Sequence, residues 1–252
     1  MTVMFDIKNL QKSFGGVAAV NDVSFQINEG ELFGVIGPNG AGKTTLFNLI
    51  TGFSNADSGE ILYYGKDIIG KKTHQLVQSG IVRTFQSTNL FLGNTVLENI
   101  MMGGFLSYRP SILRNIFTNT KLREKELLIY AEEISDFVGI SKYNDTIVDN
   151  LPYGYKRLVG IAIALACKPK VLLLDEPAAG MVEEETKELV KIIKKVHQTG
   201  VTVVLIEHDM KMVMNLCEKI TVLEFGKKIS YGIPEEVSQD KEVIRAYLGV
   251  ES

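Results

Sequence analysis

Polar and apolar residues alternate along "DVSFQI" (22–27), where Val23, Phe25 and Ile27 fall on one side. That period of two predicts a half-exposed strand in an antiparallel sheet near the N-terminus. "LFGVI" (32–36), "VLLL" (171–174) and "VTVVLI" (201–206) show no alternation; they are continuous apolar runs. Strands of that kind are buried on both faces and belong to a parallel sheet covered by helices. Helical periodicity follows each of them: 43–51, then 183–198 with Leu189, Ile192, Ile193 and Val196 on one face, then 209–217. The pattern therefore predicts an α/β core with βαβ connections at both ends of the chain. From about Ser87 to Ala166 the pattern is helical, with little strand signal. "KLREKELLIYAEEISDFVGI" (121–140) sets Leu127, Leu128, Ala131, Ile134 and Val138 at helical spacing, with Gly139 as a stop. This stretch predicts a helical lobe inserted into the α/β core, and the chain carries neither an internal repeat nor a sustained heptad.

Composition adds boundaries rather than detail. The 252 residues are 45% hydrophobic and 23% charged, which suits one large folded domain. A net charge of −3 gives no support for a nucleic-acid partner, which calls for a basic face. The two cysteines, Cys167 and Cys217, lie in apolar helical stretches and read as buried thiols of a reducing compartment. "MTVMFDIKNLQKSF" lacks the apolar segment of a signal peptide. No run reaches the roughly 20 apolar residues that cross a bilayer. A cytoplasmic location is expected.

The chemistry begins at "GPNGAGKTT" (37–45), which fits G-x-x-x-x-G-K-[ST] through Gly37, Gly42, Lys43 and Thr44. Such a loop turns backbone N–H groups inward at a helix N-terminus, where the dipole also favours phosphate. The whole segment Gly37, Pro38, Asn39, Gly40, Ala41, Gly42, Lys43, Thr44 and Thr45 is expected to hold a nucleotide. Lys43 is expected to reach the β- and γ-phosphates, and the Thr44 hydroxyl to ligate Mg²⁺. The pattern arises by chance in roughly one chain in a hundred of this length, and its place between a buried strand and a helix lowers that further. "VLLLDEP" (171–177) supplies carboxylates at a strand end. Asp175 suits Mg²⁺, directly or through water, and Glu176 suits activation of an attacking water. "VLIEHDM" (204–210) repeats the arrangement with His208, either a γ-phosphate ligand or a capping and surface residue. Gln86 in "VRTFQ" carries an amide that can ligate Mg²⁺ or the water, although glutamine alone says little.

In order, phosphate loop, "TFQ", helical lobe, "LPYGY", "LLLDEP" and "IEHDM" resemble the ATP-binding subunit of ABC transporters over essentially the whole chain. "GPNGAGKTT", "GIVRTFQ", "DEPAAG", the tail "VIRAYLG" and the insertion around "SYRPSILRNIFTNTKLREKE" are similar to the branched-chain amino acid importer branch. The resemblance implies an α/β P-loop NTPase core with an N-terminal antiparallel β-subdomain and an inserted helical subdomain. Its expected boundaries are 1–86 and 167–252 for the core and 87–166 for the helical part. It implies an ATPase using ATP and Mg²⁺, whose two subunits, alike or different, sandwich two ATPs. Two transmembrane permease subunits and an extracytoplasmic substrate-binding protein complete the implied system, with this chain peripheral on the cytoplasmic face of the inner membrane. On this pattern Lys43, Gln86, Glu176 and His208 are catalytic, and Thr44, Gln86 and Asp175 serve the metal. Phe14 would stack on adenine, or else be a core residue of the first sheet. "NLFLGNTVLEN" (89–99) would form part of a groove for a permease helix, with Leu90, Phe91 and Leu92 lining it or packing the lobe.

The chain departs from the pattern in two places. The family signature, usually LSGGQ, here reads Leu151, Pro152, Tyr153, Gly154, Tyr155. Proline is acceptable at a helix start, Gly154 is kept, and Leu158, Ile161, Ala162 and Leu165 keep the next helix amphipathic. Tyr155 for glutamine is the larger change. In "AAGMVE" (178–183), Val182 and Glu183 stand where Asp or Asn followed by Pro is common. Both departures fall on parts that face a partner's ATP in this family, so the resemblance implies that the chain's own site is intact and the other weaker. Alternatives from the same motifs are the ATPase of a lipopolysaccharide exporter, a non-transport ABC-type ATPase, and a nucleotide-binding regulator without hydrolysis. Neither coiled-coil insertion nor tandem cassette supports the second, and Glu176 with His208 speaks against the third.

Overall fold

The computed structural model describes residues 2–84, 90–107 and 120–248, with backbone alone at 106–107, 120–123 and 248. The first half runs β1 (Val3–Phe14), β2 (Val17–Asn28), β3 (Leu32–Ile36), α1 (Lys43–Ile50), β4 (Ser58–Tyr63), β5 (Lys66–Asp67), α2 (Thr73–Ser79), β6 (Ile81–Thr84) and α3 (Val96–Ser107). The second runs α4 (Thr120–Val138), α5 (Tyr153–Ala166), β7 (Val171–Asp175), α6 (Glu183–Gln198) and β8 (Thr202–Ile206). It ends with α7 (Met210–Leu216), β9 (Lys219–Glu224), β10 (Lys227–Gly232), α8 (Pro234–Gln239) and α9 (Lys241–Leu248).

Two sheets result. One is antiparallel, in the order β2-β1-β4-β5, and the other is six-stranded, in the order β10-β9-β3-β8-β7-β6. In the second sheet β6, β7, β8, β3 and β9 are mutually parallel, and β10 closes the edge antiparallel to β9. The unbroken apolar runs have the expected cause. Leu172, Leu174, Val203 and Leu205 enter one hydrophobic core, while Val171, Leu173, Val204 and Ile206 enter the other. Both faces of the strands are thus covered, each fully buried Leu or Ile contributing about 1.5–3 kcal/mol. Val23, Phe25 and Ile27 are buried and Asp22 and Gln26 exposed, as alternation predicts. The Phe25 ring stacks on Phe33 at 5.5 Å, which joins the antiparallel sheet to the parallel one.

Between β6 and β7 the described residues contain helices and a single isolated bridge, Thr95 to Ile147. α3 opens with a reciprocal cap: Glu98 N–H donates to Thr95 Oγ1 at 3.2 Å, and Thr95 N–H donates to a Glu98 carboxylate oxygen at 2.7 Å. In α4, Leu127, Ala131 and Val138 are buried and Ile134 packs against the same core. Leu128 is not on that face: it is 37% exposed. One residue beyond Leu127 it is rotated by about 100°, and Ser135 takes the buried position that completes the stripe. Gly139, at φ +80°, ends the helix as its sequence suggests. α5 and α6 bury all the positions predicted for them, Leu158, Ile161, Ala162 and Leu165 in one and Leu189, Ile192, Ile193 and Val196 in the other. No helix among the described residues is long and apolar enough to cross a membrane.

Candidate active site

The phosphate loop joins the end of β3 to the start of α1, so its glycines must turn the chain sharply. At Gly37 (φ +152°) an added Cβ would overlap the Leu223 carbonyl oxygen, and at Gly42 (φ +101°) it would overlap that of Ala19. Only glycine fits both. Leu46 N–H donates to Gly42 O at 2.9 Å as α1 begins, so the N–H groups of Lys43, Thr44 and Thr45 have no acceptor within the helix. They border a cleft of about 210 Å³ lined by Ala19, Asn39, Gly40, Ala41, Gly42, Lys43, Thr44, Thr45 and Glu176. Lys43 is 6% exposed and donates to the carbonyls of Gly37 at 2.6 Å and Pro38 at 3.0 Å. Burial lowers its pKa below the ordinary 10.5, against the opposing pull of the Glu176 and Asp175 carboxylates.

Those carboxylates come from the end of β7. Asp175 is buried, and Arg83 of β6 donates to its Oδ2 at 2.6 Å. The same guanidinium donates to Asn48 Oδ1 of α1 at 2.7 Å and lies over the Phe47 ring at 5.6 Å. Arg83 therefore ties the strand-end carboxylate to the helix that follows the phosphate loop. Sequence reading passed over it, although its place at a strand end three residues before Gln86 was a signal. Glu176 has a left-handed backbone (φ +46°) immediately before Pro177, where extended conformations are favoured. A non-glycine residue held there costs about 1–3 kcal/mol and tends to sit at a functional site. Its N–H still donates to Ile206 O of β8 at 3.0 Å, so the turn starts from a fixed strand end.

His208 follows β8 and its side chain is 60% exposed. Before it, Glu207 is 1% exposed and accepts from Ala178 N–H at 2.9 Å and from His208 N–H at 3.3 Å. Burial, with the Glu176 charge, raises the Glu207 pKa against the opposing pull of the two N–H groups and His208. Asp209 caps α7 by accepting from Lys211 N–H at 2.9 Å and Met212 N–H at 3.3 Å. Among the expected metal residues, Thr44 and Asp175 supply hard oxygens, the donor set Mg²⁺ prefers. The Asp175 carboxylate, at the end of β7, raises the Lys43 pKa by its charge, less than burial lowers it. Gln86 lies outside the described residues.

Pro152 and Tyr153 are exposed at the start of α5, and Pro152 is its N-cap. The Tyr153 hydroxyl accepts from Arg157 at 2.6 Å, and its ring is the nearest neighbour an added Gly180 Cβ would meet. Gly154 is buried beneath the Glu185 carboxylate, which an added Cβ would overlap. Tyr155 is half-buried, its ring edge-on to Tyr143 at 4.5 Å with the Lys142 ammonium 5.2 Å away. The substitution that looks most disruptive on paper is thus absorbed by the chain's own helical region. Val182 is 64% exposed and is an apolar N-cap for α6; Glu185 accepts from its N–H at 3.2 Å, and Glu183, Glu184 and Glu185 suit the helix dipole.

Phe14 is 53% exposed at the end of β1 with the Lys12 ammonium 5.2 Å above its ring, so the core alternative for Phe14 does not hold. Leu90 packs against the core, whereas Phe91 and Leu92 are 49% and 72% exposed. Buried Asn99 holds that segment, accepting from Phe91 N–H at 2.8 Å and donating to Phe91 O at 3.1 Å. Both cysteines are free thiols, and burial raises Cys167 to about 11.

A phosphate loop, two strand-end acids and a histidine on a parallel sheet, beside an antiparallel sheet and intervening helices, describe an ATP-binding cassette. The family model "ABC transporter" matches residues 20–179, and the chain belongs to the ATP-hydrolysing cassettes of that family. A second model, "Branched-chain amino acid ATP-binding cassette transporter", matches residues 227–252. The high-affinity branched-chain amino acid transport ATP-binding protein BraF of Pseudomonas aeruginosa is 37% identical over 98% of both chains. LivG of Escherichia coli K12, which bears the same description, is 36% identical over 98% of both. The lipopolysaccharide export system ATP-binding protein LptB of Haemophilus influenzae is 37% identical over 96% of this chain and 95% of its own. Among solved structures, the ADP conformation of MJ1267, an ATP-binding cassette of an ABC transporter, superposes with a TM-score of 0.85 at 32% identity, covering 99% of this chain and 100% of that one.

Proposed function

We propose that the chain is the motor subunit of an importer for branched-chain or other small neutral amino acids. The observation that carries this reading is the match of the C-terminal segment, 227–252, to the branched-chain amino acid cassette model, a segment outside the general ABC match. In the proposed assembly a second ATPase chain, identical or different, closes on this one, and both drive two permease subunits. The complex sits at the cytoplasmic face of the inner membrane and receives substrate from an extracytoplasmic binding protein. Residues 1–86 and 167–252 act as the ATPase core, and 87–166 as the helical subdomain that meets the permease. Phe91 and Leu92, exposed beside a cavity of about 240 Å³ that Leu90, Ile161 and Ala164 help to line, suit a permease helix.

At the chemical step Phe14 stacks on adenine and the loop from Gly37 to Thr45 holds the phosphates, Lys43 reaching their β- and γ-oxygens. Thr44, Gln86 and Asp175 would hold Mg²⁺, which would supply charge neutralisation at the β- and γ-phosphates. Glu176 takes a proton from the attacking water as its oxygen bonds to the γ-phosphorus and the bond to ADP breaks. His208 donates to the γ-phosphate, and Pro152, Tyr153, Gly154 and Tyr155 present a helix N-terminus to the partner's ATP.

The likeness to LptB supports one other reading, the ATPase of a lipopolysaccharide exporter. The test is uptake of labelled leucine, isoleucine and valine into vesicles holding the reconstituted transporter. Saturable ATP-dependent uptake that disappears with Lys43→Ala is expected. ATP-driven lipid extraction without amino acid uptake would assign the chain to the exporter instead.

A further inference from the structure

We infer that Glu207 is a positioning residue that holds Glu176 and His208 in one frame, by joining the backbone of the loop after Glu176 to that of His208. This rests on the roles proposed above for those two residues. The geometry is a clamp with two jaws. One Glu207 oxygen accepts from Ala178 N–H at 2.9 Å, two residues past Glu176; the other accepts from His208 N–H at 3.3 Å. That second oxygen also lies 3.7 Å from His208 Nδ1, which leaves Nε2 for a phosphate oxygen. Below the clamp, Glu176 N–H donates to Ile206 O at 3.0 Å. The segments carrying the two catalytic groups are therefore registered at successive residues of the second, Ile206 and Glu207.

A merely structural role fits this residue poorly. Glu207 is 1% exposed at the end of a strand whose five residues are all buried, and burial works against its charge. An acid in such a place is costly unless hydrogen-bonded, and both of its oxygens are taken up by backbone N–H groups of the two segments. What the carboxylate offers that an amide does not is two acceptor oxygens facing two N–H donors. In Glu207→Gln the carbonyl still serves Ala178, but the amide NH₂ meets the His208 N–H as a second donor. One jaw opens while volume and burial are kept.

The test uses the full chain assembled with its partner subunits. In Glu207→Gln, kcat for ATP should fall about tenfold, with KM and the affinity for a fluorescent ATP analogue moving less than about twofold, since misplacing a catalytic group acts on the chemical step. Glu207→Ala, which opens both jaws, should lose about a hundredfold. In a His208→Ala background the Glu207→Gln loss should shrink, because residues acting through one another are not additive. Wild-type kcat in Glu207→Gln, or a loss of kcat that tracks ATP affinity and thermal midpoint together, would overturn the inference. Wild-type turnover in Glu176→Gln and His208→Ala would instead overturn the site assignment on which it rests.

Discussion

Lys43 is an ammonium placed where its charge is poorly solvated: 6% exposed and bonded to two carbonyls of its own loop. Burial holds its pKa below 10.5 in the free chain. The phosphates of ATP favour the charged form, so binding raises that pKa again. The sign follows. Above the free-state pKa, ATP binding must take up a proton, and affinity falls with rising pH before an ordinary lysine would deprotonate. Calorimetry in buffers of different ionisation enthalpy, at pH values rising toward the ordinary lysine value of about 10.4, should read that uptake; binding with no proton exchange at any of them would refute it. Arg83 makes a second prediction. Its ion pair with Asp175 has both side chains at 5–6% exposure, so Arg83→Met leaves a buried carboxylate without its cation. The loss should be about 3–5 kcal/mol in urea denaturation, with part recovered by adding Asp175→Asn. A single variant as stable as the double would show that the pair does not act this way.

At the scale of elements, α5 shows how an altered motif keeps its shape. Its N-terminus has lost the usual glutamine, yet Tyr155 packs edge-on against Tyr143 and so fixes the first turn to the 3₁₀ segment Ser141–Tyr143. Restoring the family residue with Tyr155→Gln should therefore destabilise the chain by about 0.5–1.5 kcal/mol, the worth of an aromatic pair. ATP affinity at its own phosphate loop should not change. Thermal unfolding with a Tyr143→Ala partner variant would check it: additive losses would mean the rings do not act as a pair. The same element separates what the sequence made legible from what it did not. The buried face of α5 and the two-faced burial of β7 and β8 follow from period and apolar run length, which are local properties. Leu128 was misplaced because spacing along a helix leaves neighbouring residues of equal hydrophobicity undecided until a core selects a face. Phosphate-loop chemistry was readable because Gly37, Gly42 and Lys43 act through the backbone of one short segment. Arg83 and Glu207 were missed because their partners, Asp175 for one and Ala178 for the other, lie far along the chain and meet them only where the ends of adjacent strands, or the loops just beyond them, come together.

At the scale of the whole molecule, the two departures from the family pattern lie against each other. Tyr153 rests on Gly180, and Arg157 donates to the Tyr153 hydroxyl at 2.6 Å and to Ala179 O at 3.5 Å. The altered signature and the altered loop are thus one packed unit, at the start of α5 and on the way to exposed Val182. In the proposed dimer this unit faces the partner's ATP, while Lys43, Asp175 and Glu176 handle the chain's own. The two ATP sites should then differ, with the faster one on this chain's phosphate loop. Glu176→Gln here should abolish most turnover of the assembled transporter, and the equivalent change in the partner should cost less. General-base loss removes about a hundredfold or more from the affected site, so the residual rate in each variant reports the other site directly. With an identical partner the distinction disappears, and a tandem fusion carrying one Glu176→Gln copy would retain about half the rate if the sites run independently. With two different chains, equal residual rates from the two single variants would remove the asymmetry and leave Tyr153 and Val182 as substitutions absorbed by packing alone.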